Sequence, residues 1–503
     1  MVTDPSYDEL AATRPQHPRS TPLDDLAAWL GTPAPGGDVT VTGLTLSSQR
    51  VRPGDLYAAL PGARAHGATY AASAVASGAV AVLTDADGAE VAGVDVPVLV
   101  VPEPRAVLGA LAARVYDEPA ASLTLIGVTG TQGKTTTTRL LEGGLQTAGV
   151  HAAVIGTVGT RVDGQDIKTA LTTPEAPDLH GLFAMMVERG VTACAMEVSS
   201  HALVMGRVDG VVFDVAVFVN LGRDHLDFHA DVEDYFLAKA QLFAPERARR
   251  GLVNSDDDHG RRLLAEATIP LRSFALEDET SDWRAVDVDL TAGGATFTVV
   301  GPGVRFEATC PLPGDFNVAN TLAAIAAAAE AGLDPEAVAR GIRDGGGVPG
   351  RLERVDAGQD FVVVVDYAHK PDAVEAAVRT LRPLTDGQVI VVLGAGGDRD
   401  TGKRPLMGEI AARLADVLIV TDDNPRSEDP AAIRAAVLAG TAGPAEVLEI
   451  GDRRLAIREA LRRARTDDIV IVAGKGHETG QEVQGVVHPF DDRAVVLEEL
   501  AEL

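Results

Sequence analysis

The 503 residues are too many for one hydrophobic core, since domains usually hold ~100 to 200 residues, and we expect three domains. Hydrophobic residues make up 46% and charged residues 23% of the chain, a globular composition that excludes a largely disordered or collagen-like protein. The 73 acidic and 44 basic residues give a net charge of -29, which argues against nucleic acid or an anionic membrane as the main partner.

Cysteine usage and terminal sequence favour a cytoplasmic protein. Cys194 and Cys310 have neither a metal-type spacing nor the number needed for a disulfide framework, so we expect two inert buried thiols in a reducing compartment. The N-terminus lacks the basic start and apolar segment of a secretory signal. No run approaches the ~18 apolar residues of a membrane span. We therefore expect no membrane partner.

Lysine is rare in this chain. Only six of the 44 basic residues are lysines, which leaves 38 arginines, as if arginine had replaced every lysine that it could. A site that needs a compact point charge or a nucleophilic amine cannot accept that exchange. Five of the lysines lie in the candidate motifs at residues 130–136, 235–239, 366–370, 397–404 and 474–478, and Lys168 alone lies in none of them. The five are Lys134, Lys239, Lys370, Lys403 and Lys475.

The first part of the chain predicts a small α/β domain followed by a phosphate-binding unit. Between residues 39 and 101, short apolar runs alternate with turn-rich pieces, and a break follows near residues 117–120. Residues 123–128 then form an apolar run of strand length, residues 129–133 a Gly/Thr-rich loop, and residues 134–148 a helix-compatible stretch. Strand, glycine loop and helix are the first half of a βαβ unit.

The loop carries the strongest chemical signal in the sequence. Glycines let backbone N–H groups converge on phosphate oxygens, Lys134 supplies a positive charge, and Thr135 offers a hydroxyl to Mg²⁺. Gly127 and Gly133 are separated by five residues where the standard P-loop has four, which disfavours a motor-type NTPase. The alternative is a glycine turn with a solvated lysine.

Later apolar runs predict parallel strands that are covered on both faces. Each is followed at once by polar, Gly- or His-containing sequence, and ligands of open α/β sheets bind beyond the carboxyl ends of the strands. A second domain boundary is expected near residues 345–347, and an Ala-rich helix at residues 319–331. The runs are residues 193–196, 215–219, 361–365, 389–393, 417–420 and 469–472.

Glu197 and His225 are candidates for metal chemistry, and His229 and Lys239 lie close to them in the sequence. Glu197 follows a strand, where its carboxylate could reach a nucleotide-bound metal or else cap a helix or form an ion pair. His225 could be a metal ligand, whereas His229 is as readily a surface residue. Lys239 lies among apolar residues and could be a snorkelling lysine on an amphipathic helix.

Together these motifs resemble the ordered motif set of the Mur ligases. The resemblance is carried by residues 130–136 (GTQGKTT), 197–201 (EVSSH), 223–227 (RDHLD) and 235–239 (YFLAK), and residues 48–57 and 423–426 extend it over nearly the whole chain. It implies three α/β domains: a small N-terminal substrate domain, a central P-loop-type ATPase domain with a mainly parallel sheet, and a C-terminal Rossmann-like domain. We place them at residues 1–121, 122–347 and 348–503.

The resemblance also implies roles for individual residues. ATP would be bound by Gly130, Thr131, Gln132, Gly133, Lys134, Thr135, Thr136, Asn317, Asn320, Arg351, Asp366 and His369. The catalytic residues would be Lys134, Glu197, His225 and Lys239, and Mg²⁺ would be held by Thr135, Glu197, His225 and Lys239. Lys239 would be carbamylated by CO₂ to N6-carboxylysine, a modification that arginine could not replace.

Within the family, the chain is most similar to the ligase that adds the third residue of the stem peptide. Its UDP-sugar-peptide substrate, UDP-N-acetylmuramoyl-L-alanyl-D-glutamate, would be bound by Ser48, Thr172, Thr173, Ser199 and Arg207. Residues 423–426 (DNPR) resemble the pattern that selects meso-diaminopimelate, whose distal carboxylate suits a guanidinium and whose distal ammonium suits a carboxylate. The residues implied are Arg399, Asp423, Asn424, Arg426, Gly474 and Glu478.

Some alternatives stay open at this point. Arg426 could instead be a surface residue at a helix N-terminus after Pro425. The chain could also be a sister ligase that adds L-lysine or D-alanyl-D-alanine, a folylpolyglutamate synthetase, or a non-catalytic ATP-binding switch. Gln132 stands where the family usually has Asn, and Ser47-Ser48-Gln49 replaces the common Asp-Ser-Arg. We expect an ATP-dependent, Mg²⁺-requiring amide ligase that acts as a monomer.

Overall fold

The structure is a computed structural model that describes residues 13–169, 171–345 and 347–503. The N-terminal residues at which no secretory signal was predicted, and Gly346 of the predicted second boundary, lie outside the described residues. The chain divides into two compact units, Met1–Arg284 with Leu322–Gly341 and Ala285–Thr321 with Ile342–Leu503. No helix in the described part of the chain is both long and apolar enough to cross a membrane.

The first unit begins with a small parallel sheet and its helices, in agreement with the small α/β domain that the sequence predicted. Its strand order is β3-β4-β5-β6, and β1 and β2 form a separate antiparallel pair. The strands are β1 (Thr21–Pro22), β2 (Thr40–Val41), β3 (Gly43–Thr45), β4 (Asp55–Ala58), β5 (Ala81–Thr84) and β6 (Val98–Val100). The α-helices are α1 (Leu23–Leu30), α2 (Ala71–Ala76), α3 (Ala86–Ala92) and α4 (Pro104–Val115), and Gly67–Tyr70 and Pro119–Ser122 are 3-10 helices.

A larger sheet follows in the same unit, with the order β10-β9-β8-β11-β7-β12-β13-β14. The pairs from β8 to β14 are parallel, and β9 and β10 are antiparallel additions. The strands are β7 (Thr124–Thr129), β8 (Ala152–Gly156), β9 (Gly159–Val162), β10 (Gln165–Ile167), β11 (Ala193–Glu197), β12 (Val215–Phe218), β13 (Gly251–Asn254) and β14 (Leu271–Ala275). The helices are α5 (Lys134–Thr147), α6 (Ala176–Glu188), α7 (Ser200–Val204), α8 (Val232–Ala240) and α9 (Asp258–Glu266), and Gln241–Phe243 is a 3-10 helix.

The second unit contains a parallel sheet and the strands β15, β16 and β17, of which β16 and β17 pair antiparallel. The sheet order is β18-β19-β23-β20-β21-β22, parallel except for β18, and β15, β16 and β17 are consecutive neighbours. The strands are β15 (Trp283–Thr291), β16 (Gly294–Gly301), β17 (Val304–Cys310), β18 (Glu353–Val355), β19 (Val362–Asp366), β20 (Val389–Ala395), β21 (Val417–Asp422), β22 (Glu446–Glu449), β23 (Ile469–Ala473), β24 (Gly480–Val483) and β25 (Val486–Pro489). The helices are α10 (Asp315–Glu330), α11 (Pro335–Asp344), α12 (Pro371–Leu381), α13 (Lys403–Leu414), α14 (Pro430–Leu438), α15 (Arg453–Arg463) and α16 (Asp492–Glu502), and Arg382–Leu384 is a 3-10 helix. Three elements, β15, α10 and α11, contribute residues to both units.

The predicted apolar runs are confirmed as buried parallel strands, with ends that differ by at most two residues from the prediction. In β7, β11 and β23, side chains on both faces are buried, because helices cover the two sides of each sheet. The helix predicted from residue 134 is α5, and the Ala-rich helix is α10. Both cysteines are free and buried, as expected, and burial raises the pKa of Cys310 to about 11.

Buried His180 gives the stability of this fold a defined pH dependence. Its side chain is fully buried on α6, its Nε2 lies 3.1 Å from the Asp209 carbonyl oxygen, and burial lowers its pKa from 6.5 to about 4. Below pH 6.5 the unfolded chain therefore binds a proton that the folded chain does not, and the free energy of unfolding falls. We expect this group to lower it by about 2 kcal/mol between pH 7 and pH 5. Urea unfolding of the wild type and His180→Gln at both pH values tests this, and an equal fall in the variant would contradict it.

Candidate active site

The loop between β7 and α5 has the geometry predicted for phosphate binding. Gly130 has φ of 151°, and a Cβ there would lie 2.3 Å from the Val219 Cγ2 atom. Gly133 has φ of 85° and immediately precedes α5, so both positions require glycine. The first turn of a helix leaves N–H groups without partners inside the helix, and they favour anions. The loop and the start of α5 can therefore receive phosphate oxygens.

Asn220 holds this loop in place through hydrogen bonds to its backbone. The sequence analysis did not predict this role. Its Oδ1 accepts hydrogen bonds from the Thr131 and Gln132 backbone N–H groups at 3.2 and 3.0 Å, and its Nδ2 donates to the Gln132 carbonyl at 3.1 Å. Because these contacts involve the Gln132 backbone, the exchange of Asn for Gln at this position leaves them possible. The sequence did contain a sign of this role, because Asn220 begins a polar motif shortly after β12.

Two lysines converge on the Gly130 carbonyl oxygen. Lys134 Nζ donates to it at 2.7 Å, and Lys239 Nζ donates to it at 2.9 Å. Lys239 is 1% exposed, and its Nζ lies 4.4 Å from the centre of the Tyr235 ring. The snorkelling alternative for Lys239 is therefore wrong. Burial, reinforced by the positive charge of Lys134, holds the pKa of the Lys239 amine well below its usual value.

Glu197 joins the same group of residues from the end of β11. Its Oε1 accepts hydrogen bonds from Thr135 Oγ1 at 2.9 Å and from the Thr157 N–H at 2.8 Å, and its Oε2 accepts from Thr157 Oγ1 at 3.1 Å. The carboxylate is 1% exposed and does not cap a helix, because Ser199 caps α7. Thr157 follows β8 and is a second residue that the sequence analysis missed.

The contact between Glu197 and Thr135 shows how the predicted ligands suit Mg²⁺. The described residues contain no group of three or more His, Cys, Asp or Glu side chains placed to hold a metal ion. Mg²⁺ is commonly bound by only one or two carboxylates together with substrate phosphates. A buried carboxylate 2.9 Å from a hydroxyl at the start of α5 has the oxygen donors and the position for that arrangement.

His225 lies in a cluster of aromatic rings. It has φ of 54°, and its ring is 4.9 Å from that of His201 and 6.0 Å from that of Tyr235. His229, taken from the sequence as readily a surface residue, is 3% exposed: one ring nitrogen lies 2.9 Å from Ser200 Oγ and the other 3.0 Å from an Asp234 oxygen. The surface alternative for His229 is therefore wrong, because the turn between β12 and α8 folds its side chain inward.

Four of the five residues predicted to bind the UDP-sugar-peptide substrate are linked, through Glu197 and Thr157, in one chain of contacts. Thr172 Oγ1 lies 3.1 Å from Thr157 Oγ1, and Thr173 Oγ1 donates to the Glu197 carbonyl at 2.8 Å and accepts from the Ser199 N–H at 3.3 Å. Arg207 reaches the Thr173 carbonyl at 3.5 Å, and its Nε donates to Glu175 at 2.9 Å. This chain of contacts therefore connects the segment before α6 to Glu197.

Ser48 belongs to a loop of the N-terminal sheet that is tied to α6. It is half-buried after β3, and the neighbouring Arg50 donates to the Asp178 carboxylate on α6 at 3.1 Å. Since Thr172 and Thr173 immediately precede α6, this ion pair links the Ser48 loop to the segment that carries them. Among the described residues, Ser48 forms no hydrogen bond with the other four.

The remaining predicted nucleotide residues lie in the second unit. Asp366, at the end of β19, accepts the Leu352 and Ala368 N–H groups at 2.7 and 2.8 Å, and burial raises the pKa of its carboxyl. The His369 ring nitrogen Nδ1 donates to the Tyr367 carbonyl at 2.8 Å. Arg351 lies over the Tyr367 ring. Asn317 and Asn320 are buried in α10 and joined by a 3.2 Å hydrogen bond.

The predicted amino-acid residues gather at the carboxyl ends of β21 and β23. Asn424 Nδ2 donates to Glu478 Oε2 at 2.7 Å. Asp423 lies against Gly474, where a Cβ would come within 2.9 Å of Asp423 Oδ2. Gly474 has φ of 116°, so it requires glycine for conformation as well as for space. Lys475, which was not predicted as a site residue, is fully buried among these side chains.

Arg426 lies beside this group in a constrained loop. It has φ of 53°, its N–H donates to the Glu482 carbonyl at 2.9 Å, and its Nη1 donates to the Gly397 carbonyl at 2.6 Å. The alternative of a helix N-terminus is wrong, because α14 begins only at Pro430. Arg399 is exposed and, within the described ranges, makes no hydrogen bond or ion pair with the other predicted amino-acid residues.

The sequence matches three family profiles in chain order. They are described as "Mur ligase family, catalytic domain" for residues 40–116, "Mur ligase middle domain" for residues 128–328 and "Mur ligase, glutamate ligase domain" for residues 350–476. The predicted three-domain α/β fold class is therefore confirmed.

Curated relatives and solved structures agree with this match. A UDP-N-acetylmuramoyl-L-alanyl-D-glutamate--2,6-diaminopimelate ligase of Streptomyces avermitilis is 57% identical over 96% of this chain and 97% of its own length. The ligase of the same name from Corynebacterium glutamicum is 51% identical over 93% of each chain. A solved structure of a ligase with this name has a TM-score of 0.71 at 34% identity and covers 96% of this chain and 99% of its own. The chain belongs to the Mur ligase family.

Proposed function

We propose that this chain is an ATP-dependent amide ligase that joins meso-diaminopimelate to the D-glutamate of UDP-N-acetylmuramoyl-L-alanyl-D-glutamate, a reaction of peptidoglycan precursor synthesis. The relatives at 57% and 51% identity carry the name of this reaction. The observation that carries the reaction type is the convergence of Lys134 and Lys239 on the Gly130 carbonyl, beside a Thr135–Glu197 contact.

The reaction consists of two transfers. An oxygen of the D-glutamate γ-carboxylate attacks the γ-phosphorus of ATP, ADP leaves, and an acyl phosphate forms. The diaminopimelate amine then attacks the acyl carbon, and phosphate leaves as the amide bond closes. The loop N–H groups and the Lys134 ammonium would hold the phosphates and offset the charge that develops on the transferring group. We assign residues 130–136 to this role, with Asn317, Asn320, Arg351, Asp366 and His369 binding the rest of the nucleotide.

Mg²⁺ is the metal that this oxygen-rich site would take, held by Thr135, Glu197, His225 and a modified Lys239. When bound, the ion supplies positive charge to the phosphate oxygens. Thr157 would orient Glu197, since it donates to both carboxylate oxygens. Burial, and after it the positive charge of Lys134, lower the pKa of the Lys239 amine, which favours the neutral form that would react with CO₂ to become N6-carboxylysine. The carboxylate-like group so formed would be attracted to the Lys134 ammonium.

The UDP-linked substrate would lie along the contact chain that ends at Glu197. Thr172, Thr173 and Ser199 offer hydroxyl groups there, and Ser48 would bind the uridine end. Arg207 would bind a carboxylate of the dipeptide in exchange for part of its contact with Glu175, which is 2.9 Å away. This arrangement would bring the γ-carboxylate towards the phosphate loop.

The amino-acid substrate would be held at the ends of β21 and β23. Arg426, supported by Arg399, would bind the distal carboxylate of diaminopimelate. Glu478 and Asp423 would receive the distal ammonium, with Asn424 and Gly474 lining the site. L-lysine has no distal carboxylate, so it would leave a guanidinium without its partner.

The test is phosphate release from ATP with the UDP-linked dipeptide and either meso-diaminopimelate or L-lysine at equal concentration. Turnover that requires diaminopimelate supports the proposal. Preference for lysine would refute the amino-acid assignment, and turnover with neither would indicate a sister ligase. ATP hydrolysis that ignores both substrates would contradict a ligase and favour an ATP-binding switch.

We also propose domain bounds of 1–121, 122–347 and 348–503, each of which encloses one family match. A monomer in the cytoplasm is the expected form, in keeping with two free, buried cysteines. Size-exclusion chromatography with light scattering checks the monomer.

A further inference from the structure

Lys475 is a buried cation within the amino-acid site. Its side chain is 0% exposed, and its Nζ lies 3.1 Å from Asn424 Oδ1, 3.3 Å from Glu478 Oε2 and 3.6 Å from Asp423 Oδ1. A lysine buried in this way costs several kcal/mol unless oxygen atoms surround it. Here three side chains supply those oxygens, and all three were assigned to substrate binding from the sequence.

The contacts of Lys475 fix the orientation of Asn424 and Glu478. Asn424 Oδ1 accepts from Lys475 and from the Glu482 N–H at 2.9 Å, so its Nδ2 is directed to Glu478 Oε2 at 2.7 Å. Glu478 uses Oε2 for both of its side-chain contacts, and a third of the side chain remains exposed. A ligand can therefore approach Glu478 without breaking the network.

Without Lys475, the two carboxylates of this network would have no positive charge among the three side chains to offset them. Asp423 and Glu478 contribute two negative charges, and Lys475 offsets one of them. Asp423 Oδ1 is buried and has no hydrogen-bond donor within the described residues. The distal group of diaminopimelate carries one positive and one negative charge, whereas the distal group of L-lysine carries only a positive charge. An additional negative charge in the site would therefore favour lysine.

We infer that Lys475 is a specificity-determining and positioning residue, whose buried ammonium neutralises one carboxylate of the Asp423–Glu478 pair so that the site accepts a zwitterionic rather than a purely cationic distal group. This inference rests on the proposed function. It accounts for a lysine at this position in a chain that has far more arginines than lysines. A guanidinium is larger than an ammonium and would not fit the fully enclosed space that the Lys475 head group occupies.

The experiment compares Lys475→Met and Lys475→Gln with the wild type in the phosphate-release assay. Steady-state constants are measured for meso-diaminopimelate, L-lysine and ATP. Removing one charge at this distance should lower the ratio of kcat/KM for diaminopimelate to kcat/KM for lysine by about ten- to a hundredfold. The KM for diaminopimelate should rise and the KM for ATP should stay within about twofold. Lys168→Met, which removes an exposed lysine of the first unit, is the matched control and should keep the wild-type ratio.

The two variants separate charge from hydrogen bonding. Glutamine can still donate to Asn424 or Glu478, so a fall of the ratio in both variants supports the charge role. A wild-type ratio in Lys475→Gln would overturn it, as would equal losses for both amino acids and for ATP, which indicate a structural role. If Lys475→Met does not fold, Lys475→Gln alone decides. A wild-type enzyme that does not use diaminopimelate refutes the proposed function itself, whereas an active wild type with unchanged ratios in both variants refutes only this inference.

Discussion

Replacing Lys239 by arginine should abolish ligation while leaving the protein folded. Arginine keeps the positive charge but cannot accept CO₂ to become a carboxylate-like ligand. Its larger head group must also fit where Lys239 Nζ lies 2.9 Å from the Gly130 carbonyl and against the Tyr235 ring. Loss of one group that stabilises the developing phosphoryl charge typically lowers kcat by about a hundred- to a thousandfold. The assay is phosphate release with both substrates saturating.

Lys239→Met is the control for folding. Methionine fills a similar volume without burying an amine, so the variant should unfold at a temperature no lower than that of the wild type and should be equally inactive. In ¹³C-bicarbonate, the wild type should give a carbamate NMR signal that both variants lack. Wild-type activity in Lys239→Arg, or a wild-type enzyme without the carbamate signal, would refute the modification.

Parallel strands and the phosphate loop could be predicted because local sequence dictates them. A run such as residues 469–472, apolar at every position, can be satisfied only by burial on both faces, and β23 has that environment. The glycines at residues 130 and 133 are needed for positive φ whatever the remainder of the fold does. In both cases the information lies within about ten residues of sequence.

Partners that are distant in sequence could not be predicted in the same way. His229 and Ser200 are 29 residues apart, and only the packing of α7 against α8 brings them within 2.9 Å. Lys475 and Asn424 are 51 residues apart, on loops after different strands. The motifs indicated that both loops lie at the same edge of the sheet, but the sequence contained nothing that decides which oxygen faces which nitrogen. The rarity of lysine was the one available sign for Lys475.

The glycines of residues 394–397 illustrate the same limit. A glycine-rich run of this kind could suggest dinucleotide binding, but it lacks the spacing that such a motif requires, and the structure gives these glycines another purpose. A Cβ on Gly397 would lie 1.9 Å from the Pro425 carbonyl oxygen, and a Cβ on Gly396 would lie 3.0 Å from Arg426 Nη1. These glycines therefore make room for the loop that carries Arg426, which no local pattern reveals.

Arg426→Ala should weaken the use of diaminopimelate. The variant removes a charge-assisted contact to the distal carboxylate, so kcat/KM for diaminopimelate should fall by roughly ten- to a hundredfold through a higher KM. The KM values for ATP and for the UDP-linked dipeptide should stay near those of the wild type. Arg426→Lys should give an intermediate loss, because an ammonium retains the charge but not the two parallel N–H donors.

The backbone at this position requires a second variant. Arg426 has φ of 53°, and hydrogen bonds at 2.9 and 2.7 Å join its N–H to the Glu482 carbonyl and its carbonyl to the Gln484 N–H. Alanine is strained at this φ, whereas glycine is not, so Arg426→Gly removes the side chain without that strain. Equal losses in the two variants would assign the effect to the guanidinium. Recovery of wild-type kinetics in Arg426→Gly would mean that the arginine only holds the loop, and that another group selects the distal carboxylate.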